Sequence, residues 1–334
     1  MQRKSLNYAK ANNPPISQTD INDLKEVINH QVPEDGSFDQ KIPGLHIRRS
    51  SYLSKDWDNA FYLPSIIIVV QGEKTVRIGK DMFQIESGDM LLIPVALPVA
   101  LKVIKASPEE LYLGIGLTLE PEKIAELTQK VYSTGLPDEV EHNRCYITKA
   151  DTGIIQAMTR LLECTRDSGD TQFIAPIIMD EIIMRLLRSP IGVPIAEMSF
   201  SESSVRQIAM AIDWLRNHFT KPMKVSELAE LTHMSISVFH KHFKDVTSMS
   251  PLQYQKALRL QEARNLMLSK KMDALTASQL VGYASASQFS RDYRSYYGNP
   301  PRKDLERLHR RSEDGKYTEL NKETPAKQEK QAIN

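Results

Sequence analysis

Val225-Ser-Glu-Leu-Ala-Glu-Leu231, Thr232-His-Met-Ser235 and Ile236-Ser-Val-Phe-His-Lys-His-Phe-Lys-Asp-Val246 follow one another without a break, and their reading decides the fold. The first segment has the length of a short helix, the second that of a tight turn, the third that of a longer helix. Ser235 stands where a hydroxyl accepts from the free N–H groups of a helix start. Assigning Val238, Phe239 and Phe243 to the inner side leaves Ser237, His240, Lys241 and Lys244 outside, at i, i+3, i+4 and i+7 on one face. The pattern predicts a helix-turn-helix over about 225–246. A helix with short polar and basic side chains outward fits a major groove, where such groups reach base edges and phosphates.

Working outward, the arrangement repeats. Pro251 opens a long helix over Gln253–Leu268, and a second unit is expected over about 273–296. There Leu275–Leu280 is a short helix and Val281-Gly-Tyr-Ala-Ser285 a turn in which Gly282 can take positive φ. Ser285 and Gln288 have capping-box spacing. Ala286–Tyr297 then presents Ser287, Gln288, Arg291 and Arg294 outward, with Phe289 and Tyr293 inward. Upstream, Val205, Ile208, Ala209, Ile212 and Leu215 form another apolar stripe, so residues 203–305 read as an all-α domain with two helix-turn-helix units. An ordinary helical bundle with solvated Arg and Lys, serving as an interaction protein, is the alternative reading of the same pattern.

Charge follows that division. The whole chain carries +1, but residues 1–202 hold 21 Lys and Arg against 28 Asp and Glu, whereas residues 203–310 hold 17 against 9. A basic block beside an acidic one suits nucleic acid as partner. The apolar runs are too short, or too broken by Pro94, Pro98 and Lys102, to span a membrane. Met1–Asn13 has no apolar core after Arg3 and Lys4, so no secretory signal is expected. Two cysteines cannot build a disulfide framework, and the expected compartment is the cytoplasm.

The first half reads differently. Residues 1–40 are polar, with one short helical pattern around Ile21, Leu24, Val27 and Ile28, and read as a loosely held arm. From Leu45 to Leu119, short β-rich runs alternate with turn residues such as Gly72, Gly79 and Ser87-Gly-Asp89, as in a small cupin-like barrel or sandwich. Helical stripes follow: Ile124, Leu127 and Val131; Ile154, Ile155, Met158, Leu161 and Leu162; Ile174, Ile177, Ile178, Ile182, Leu186 and Leu187. The fold class is therefore α+β, a β-rich sensor domain with trailing helices over 41–195 and the all-α domain behind it. The broad faces within 151–188 serve packing on the barrel or pairing with a second chain, as a homodimer. Residues 311–334 are polar and read as a disordered tail.

Several segments resemble the AraC/XylS regulators. In the all-α half these are Met234-Ser-Ile-Ser-Val-Phe-His-Lys-His-Phe-Lys244, Ser250-Pro-Leu-Gln-Tyr-Gln-Lys256, Leu258-Arg-Leu-Gln-Glu-Ala-Arg264, Val281-Gly-Tyr283, Ser287-Gln-Phe-Ser-Arg291 and Tyr296-Tyr-Gly-Asn-Pro-Pro301. In the first half Pro64-Ser-Ile-Ile-Ile-Val-Val-Gln-Gly72, Ser87-Gly-Asp-Met-Leu-Leu92, Ala106-Ser-Pro-Glu-Glu110 and Ala175-Pro-Ile-Ile-Met-Asp-Glu181 with Arg185-Leu-Leu187 resemble the sensor domain of one AraC subgroup. The resemblance implies a transcription factor, usually an activator, that binds double-stranded DNA, works with RNA polymerase and answers to a small molecule or another signal. It places base reading at Ser237, His240 and Lys241, and at Ser287, Gln288 and Arg291. His240 and Lys241 stand where the subgroup often has His-Arg, which makes bidentate guanine reading less available there. Ser278 and Ala286 replace a usual Ala and a frequent Pro.

Against an enzyme on a cupin-like barrel stands the short supply of metal ligands: His30, His46 and His142 are the histidines of the first 202 residues. No catalytic residue, metal or cofactor is expected. Trp57, Phe61 and Tyr62 are the candidates for an effector pocket at the barrel mouth, or for its seal. Cys145, after His142-Asn-Arg144, is the redox candidate, since neighbouring cations lower a thiol's pKa; Cys164 reads as packing.

Overall fold

The computed structural model describes residues 17–133, 135–136 and 143–313, with side chains to Leu308. Gln18–Gln31 (α1) is capped by Ser17 and buries Ile21, Leu24, Val27 and Ile28. Gln31 donates to the Leu162 carbonyl at 2.8 Å. This corrects the loose arm: from residue 18 the segment is anchored, because its four apolar side chains have a core to enter. Residues 1–16 lie outside the described residues, as do 314–334 of the expected tail, whereas 311–313, read with that tail, instead end the last helix.

Among the described residues, ten strands build two antiparallel sheets. They are β1 (Gly36–Asp39), β2 (Leu45–Ser50), β3 (Asp58–Tyr62), β4 (Ser65–Gln71), β5 (Glu73–Ile78), β6 (Asp81–Glu86), β7 (Asp89–Ile93), β8 (Leu97–Lys105), β9 (Tyr112–Thr118) and β10 (Tyr146–Lys149). One sheet runs β1-β2-β9-β4-β7-β10, the other β3-β8-β5-β6. Strand β4 is buried from Ser65 to Val70 because it is central in its sheet and α1 packs behind it. That explains its unbroken Ile-Ile-Ile-Val-Val run, whereas β5, in the four-stranded sheet, alternates.

The trailing helices are α2 (Pro121–Val131), α3 (Thr152–Glu163), α4 (Ala175–Leu187) and the short α5 (Gly192–Glu197). The α3 stripe is buried as its periodicity requires, and so are Ile178, Ile182, Leu186 and Leu187 of α4. Ile174 and Ile177, expected in the same stripe, instead face solvent together with Phe173 and Met184; Phe173 and Ile177 are each 65% exposed. A five-residue π-helical stretch over Asp170–Ile174 breaks the 3.6 period ahead of α4, and Ile177 lies about 100° around α4 from the buried Ile178.

The C-terminal helices are α6 (Ser204–His218), α7 (Val225–Leu231), α8 (Ile236–Thr247), α9 (Pro251–Ser269), α10 (Ala274–Leu280), α11 (Ala286–Tyr297) and α12 (Pro301–Glu313). One apolar core runs from α1 through the sandwich and α6 to Phe239, Phe243 and Tyr254, while Leu260, Met267, Phe289, Tyr293 and Tyr297 form a separate cluster. The first helix-turn-helix thus shares its core with the sandwich, and the second carries its own. Among the described residues no helix is long and apolar enough to cross a membrane.

Candidate nucleic-acid interface

The two units are local repeats held by matching caps. Ser235 accepts from the Val238 amide to start α8, and Ser285 from the Gln288 amide to start α11. Both helices end on a left-handed residue, Ser248 and Gly298, which bonds back to Lys244 and Arg294. Inside each turn the same geometry recurs, with His233 at φ 54° and Gly282 at φ 86°. The linker helix α9 carries a full capping box, Ser250 with Gln253, where the sequence had shown only Pro251.

All eight sequence-predicted contact residues are exposed: Ser237, His240, Lys241 and Lys244 on α8, and Ser287, Gln288, Arg291 and Arg294 on α11. The inner faces are Phe239, Phe243, Val246 and Thr247 in α8, and Phe289, Tyr293 and Tyr297 in α11. Val238, expected inside, is 43% exposed. A stripe built on Phe239, Phe243 and Val246 has no room for the residue one step, or about 100°, around the helix. Among the described residues, Lys241, Lys244, Arg291 and Arg294 form no ion pair, although neighbouring charges do: Lys256 of α9 bonds Asp292 of α11 at 3.1 Å. Four cations free of protein carboxylates on two capped helices are positioned to meet phosphates or bases.

What fixes the two helices to each other was not visible in the sequence. Arg259 of α9 donates to the carbonyls of Phe219 (2.7 Å) and Lys221 (3.1 Å) at the end of α6, and to Gly282 (3.1 Å) in the second turn. Gln255 adds bonds to the Phe219 and Lys221 carbonyls. Behind α11, the buried Asp304 accepts from Arg264 (2.8 and 3.1 Å), the Tyr293 hydroxyl (2.9 Å) and Arg307 (3.0 Å). A buried carboxylate satisfied by three donors is strongly directional, so α9, α11 and α12 form one block. The local signal was an acidic residue, Asp304, in the first turn after Pro301; its partner Arg264 stands among other polar residues of α9 and gave none.

The three effector candidates separate. Tyr62 points into the sandwich, and Phe61 points out of it onto Tyr254 (ring centroids 5.7 Å, 79°). Trp57 lies under the Arg77 guanidinium at 4.6 Å. Cys145 is buried, and burial pushes its thiol up to about 12, ahead of the opposing effect of Arg144. That environment works against the thiolate a redox sensor needs. His142 lies outside the described residues.

Fold and paired outward faces define a two-domain helix-turn-helix protein. Residues 41–193 match the AraC-type transcriptional regulator N-terminus and residues 228–307 match a helix-turn-helix domain; the chain belongs to the AraC family of transcriptional regulators. It is 30% identical over 106 residues to the probable transcriptional regulator LumQ of Photobacterium leiognathi, covering 31% of this chain and 43% of that one. It is 26% identical over 101 residues to the HTH-type transcriptional activator RhaS of Escherichia coli (strain SE11), covering 30% and 36%. The match thus spans less than half the length of these relatives. ToxT from Vibrio cholerae superposes over 78% of this chain and 97% of its own, with a TM-score of 0.52 and 11% identity, a likeness of fold.

Proposed function

We propose that the chain is a sequence-specific, DNA-binding transcription activator that acts in the cytoplasm. Each subunit would lay α8 and α11 into successive major-groove faces of double-stranded DNA and work with RNA polymerase, its sandwich acting as a sensor of a small molecule. The observation that carries the reading is the repeated outward face, Ser237, His240, Lys241 and Lys244 on one helix and Ser287, Gln288, Arg291 and Arg294 on the other, exposed and, among the described residues, without ion pairs. RhaS, described as an activator, supports the sign of regulation. The domain limits that go with it are a sensor over 41–195 and a DNA-binding domain over 203–305. The exposed Phe173, Ile174, Ile177 and Met184 supply an apolar face for a homodimer, which sedimentation of the full chain tests.

The deciding experiment titrates the full chain into the DNA upstream of its own gene and into a scrambled control, across a salt series. The expected result is a steep salt slope and at least about a thousandfold preference for one site. Equal, weak binding to both DNAs with and without cell extract would refute the reading.

A further inference from the structure

The alternation of strand β2, Leu45-His-Ile-Arg-Arg-Ser50, turns its polar face inward. Register sets His46, Arg48 and Ser50 opposite Gly116, Gly114 and Tyr112 of β9. From the facing sheet, β5 contributes Lys74 and β3 contributes Asp58 and Tyr62. The contact that proves the two faces meet is Arg48 to Asp58, at 2.8 Å. The glycines are needed there: a Cβ at Gly116 would stand 2.2 Å from the His46 ring, and one at Gly114 2.9 Å from the Tyr112 hydroxyl.

The charges of this cluster do not balance. Asp58 answers Arg48. Lys74 is 1% exposed, and among the described residues no carboxylate lies within ion-pairing distance of it. Its Nζ faces the rings of Tyr62 (5.8 Å) and Tyr112 (6.0 Å) instead. Burial, and then the charge of Arg48, press its amine down to about 7. Two buried donors also lack partners, Arg48 Nε and the Tyr112 hydroxyl. A buried lysine head with no carboxylate partner and two unused donors are costly in a core where Met or Leu would pack without loss. Around them Val76, Val99 and Leu101 are apolar and buried. One missing negative charge, two missing acceptor atoms and an apolar wall describe a monocarboxylate with a hydrocarbon body.

We infer that the interior of the sandwich binds a small organic monocarboxylate, its charge met by Lys74 and its oxygens by Arg48 Nε and the Tyr112 hydroxyl. The inference rests on the sensor reading above and gives it a ligand class.

The test follows the melting temperature of the full chain with sodium acetate, butyrate, benzoate or phenylacetate, with the matching amides, and with sodium nitrate at equal ionic strength. At about a hundredfold over its Kd, a carboxylate should raise the melting temperature by roughly 5–10 °C, and its amide should not. Lys74→Met should abolish that rise, and Lys41→Met, at an exposed lysine, should keep it. Should Lys74→Met fail to fold, Tyr112→Phe decides, with an expected loss of about five- to tenfold in affinity. No stabilisation by any carboxylate, or stabilisation that survives both substitutions, overturns the inference. Nitrate acting as well as the acids overturns the organic ligand. An amide acting as well as its acid overturns the anion class while the sensor reading stands.

Discussion

The Tyr254 hydroxyl of α9 donates to the Ala96 carbonyl just ahead of β8 at 2.7 Å, in a fully buried contact that joins the helix between the two helix-turn-helix units to the sandwich. The Tyr254 ring also meets Phe61 of β3 and Phe243 of α8, both edge-to-face. Strand β3 therefore has two addresses: Tyr62 and Asp58 face the polar cluster, and Phe61 faces the linker helix. A second strut ties Arg307 of α12 to Asp56 at 2.8 Å, so the sandwich touches the blocks of both units. Movement of β3 has a short mechanical route to α8 and α9.

Tyr254→Phe keeps the rings and removes the hydroxyl, leaving the Ala96 carbonyl buried and unpaired. We expect a loss of about 1–3 kcal/mol in denaturant unfolding. Cleavage by protease between α5 and α6 should accelerate as the two halves part more often. Stability equal to that of the parent would show that water reaches Ala96 and that the contact is not a strut.

On DNA, Arg291→Ala and Lys244→Ala should separate in kind. Arg291 lies near the middle of α11's outer face, and its loss should cost about 1–3 kcal/mol on the specific site and relax discrimination there. Lys244, in the last turn of α8, should weaken specific and non-specific binding alike and lower the salt slope by about one unit. Mobility shifts on matched and scrambled duplexes over several salt concentrations measure both. Equal, salt-insensitive losses would show that the two roles are assigned wrongly.

The two turns make opposite demands on the same substitution chemistry. Gly282 sits at φ 86°, and an added Cβ would stand 2.2 Å from the Thr220 carbonyl oxygen. Gly282→Ala should therefore cost more than about 2 kcal/mol, from left-handed strain and the displaced end of α6 together. His233 already holds the equivalent left-handed position with a side chain, at φ 54°. His233→Gly should leave stability within about 1 kcal/mol of the parent, since relief of strain offsets added chain entropy. Thermal unfolding of the two variants checks the contrast.

Much of the all-α half was legible because its signals are local. Ser235, Ser285, Pro251 and Gly282 mark starts and turns by chemistry that acts over three or four residues, and α11 spans Ala286–Tyr297 as its pattern requires. Val238 was misplaced because a period of 3.6 does not say how wide the buried stripe is, and the rings of Phe239 and Phe243 fill it. The sandwich interior was illegible for a different reason. His46 and Arg48 alternate with apolar residues as an outward polar face would, and only the opposite sheet's Asp58 shows that this face looks inward. Asp304 likewise gains its meaning from Arg264, 40 residues away.

The polar interior should also write itself into the dependence of stability on pH. The Lys74 amine is held down to about 7 from 10.5, first by burial and then by the charge of Arg48. Between those values the unfolded chain binds more protons than the folded one, so stability should rise with pH across that window, by at most about 1.4 kcal/mol per pH unit. His46 is held down to about 4 from 6.5, first by the protein packed around its half-buried ring and then by Lys74. Stability should therefore fall as pH drops from 6.5 toward 4, because the unfolded chain takes up the proton first. Lys74→Met should remove the alkaline rise, stabilise the chain at neutral pH, and soften the acid loss by deleting the cation beside His46. Denaturant midpoints from about pH 4 to about pH 10 for parent and variant measure all three effects. An alkaline rise retained by Lys74→Met would assign it to another group, whereas its loss, with a higher midpoint at pH 7, would show an ammonium that folding leaves without a counter-charge.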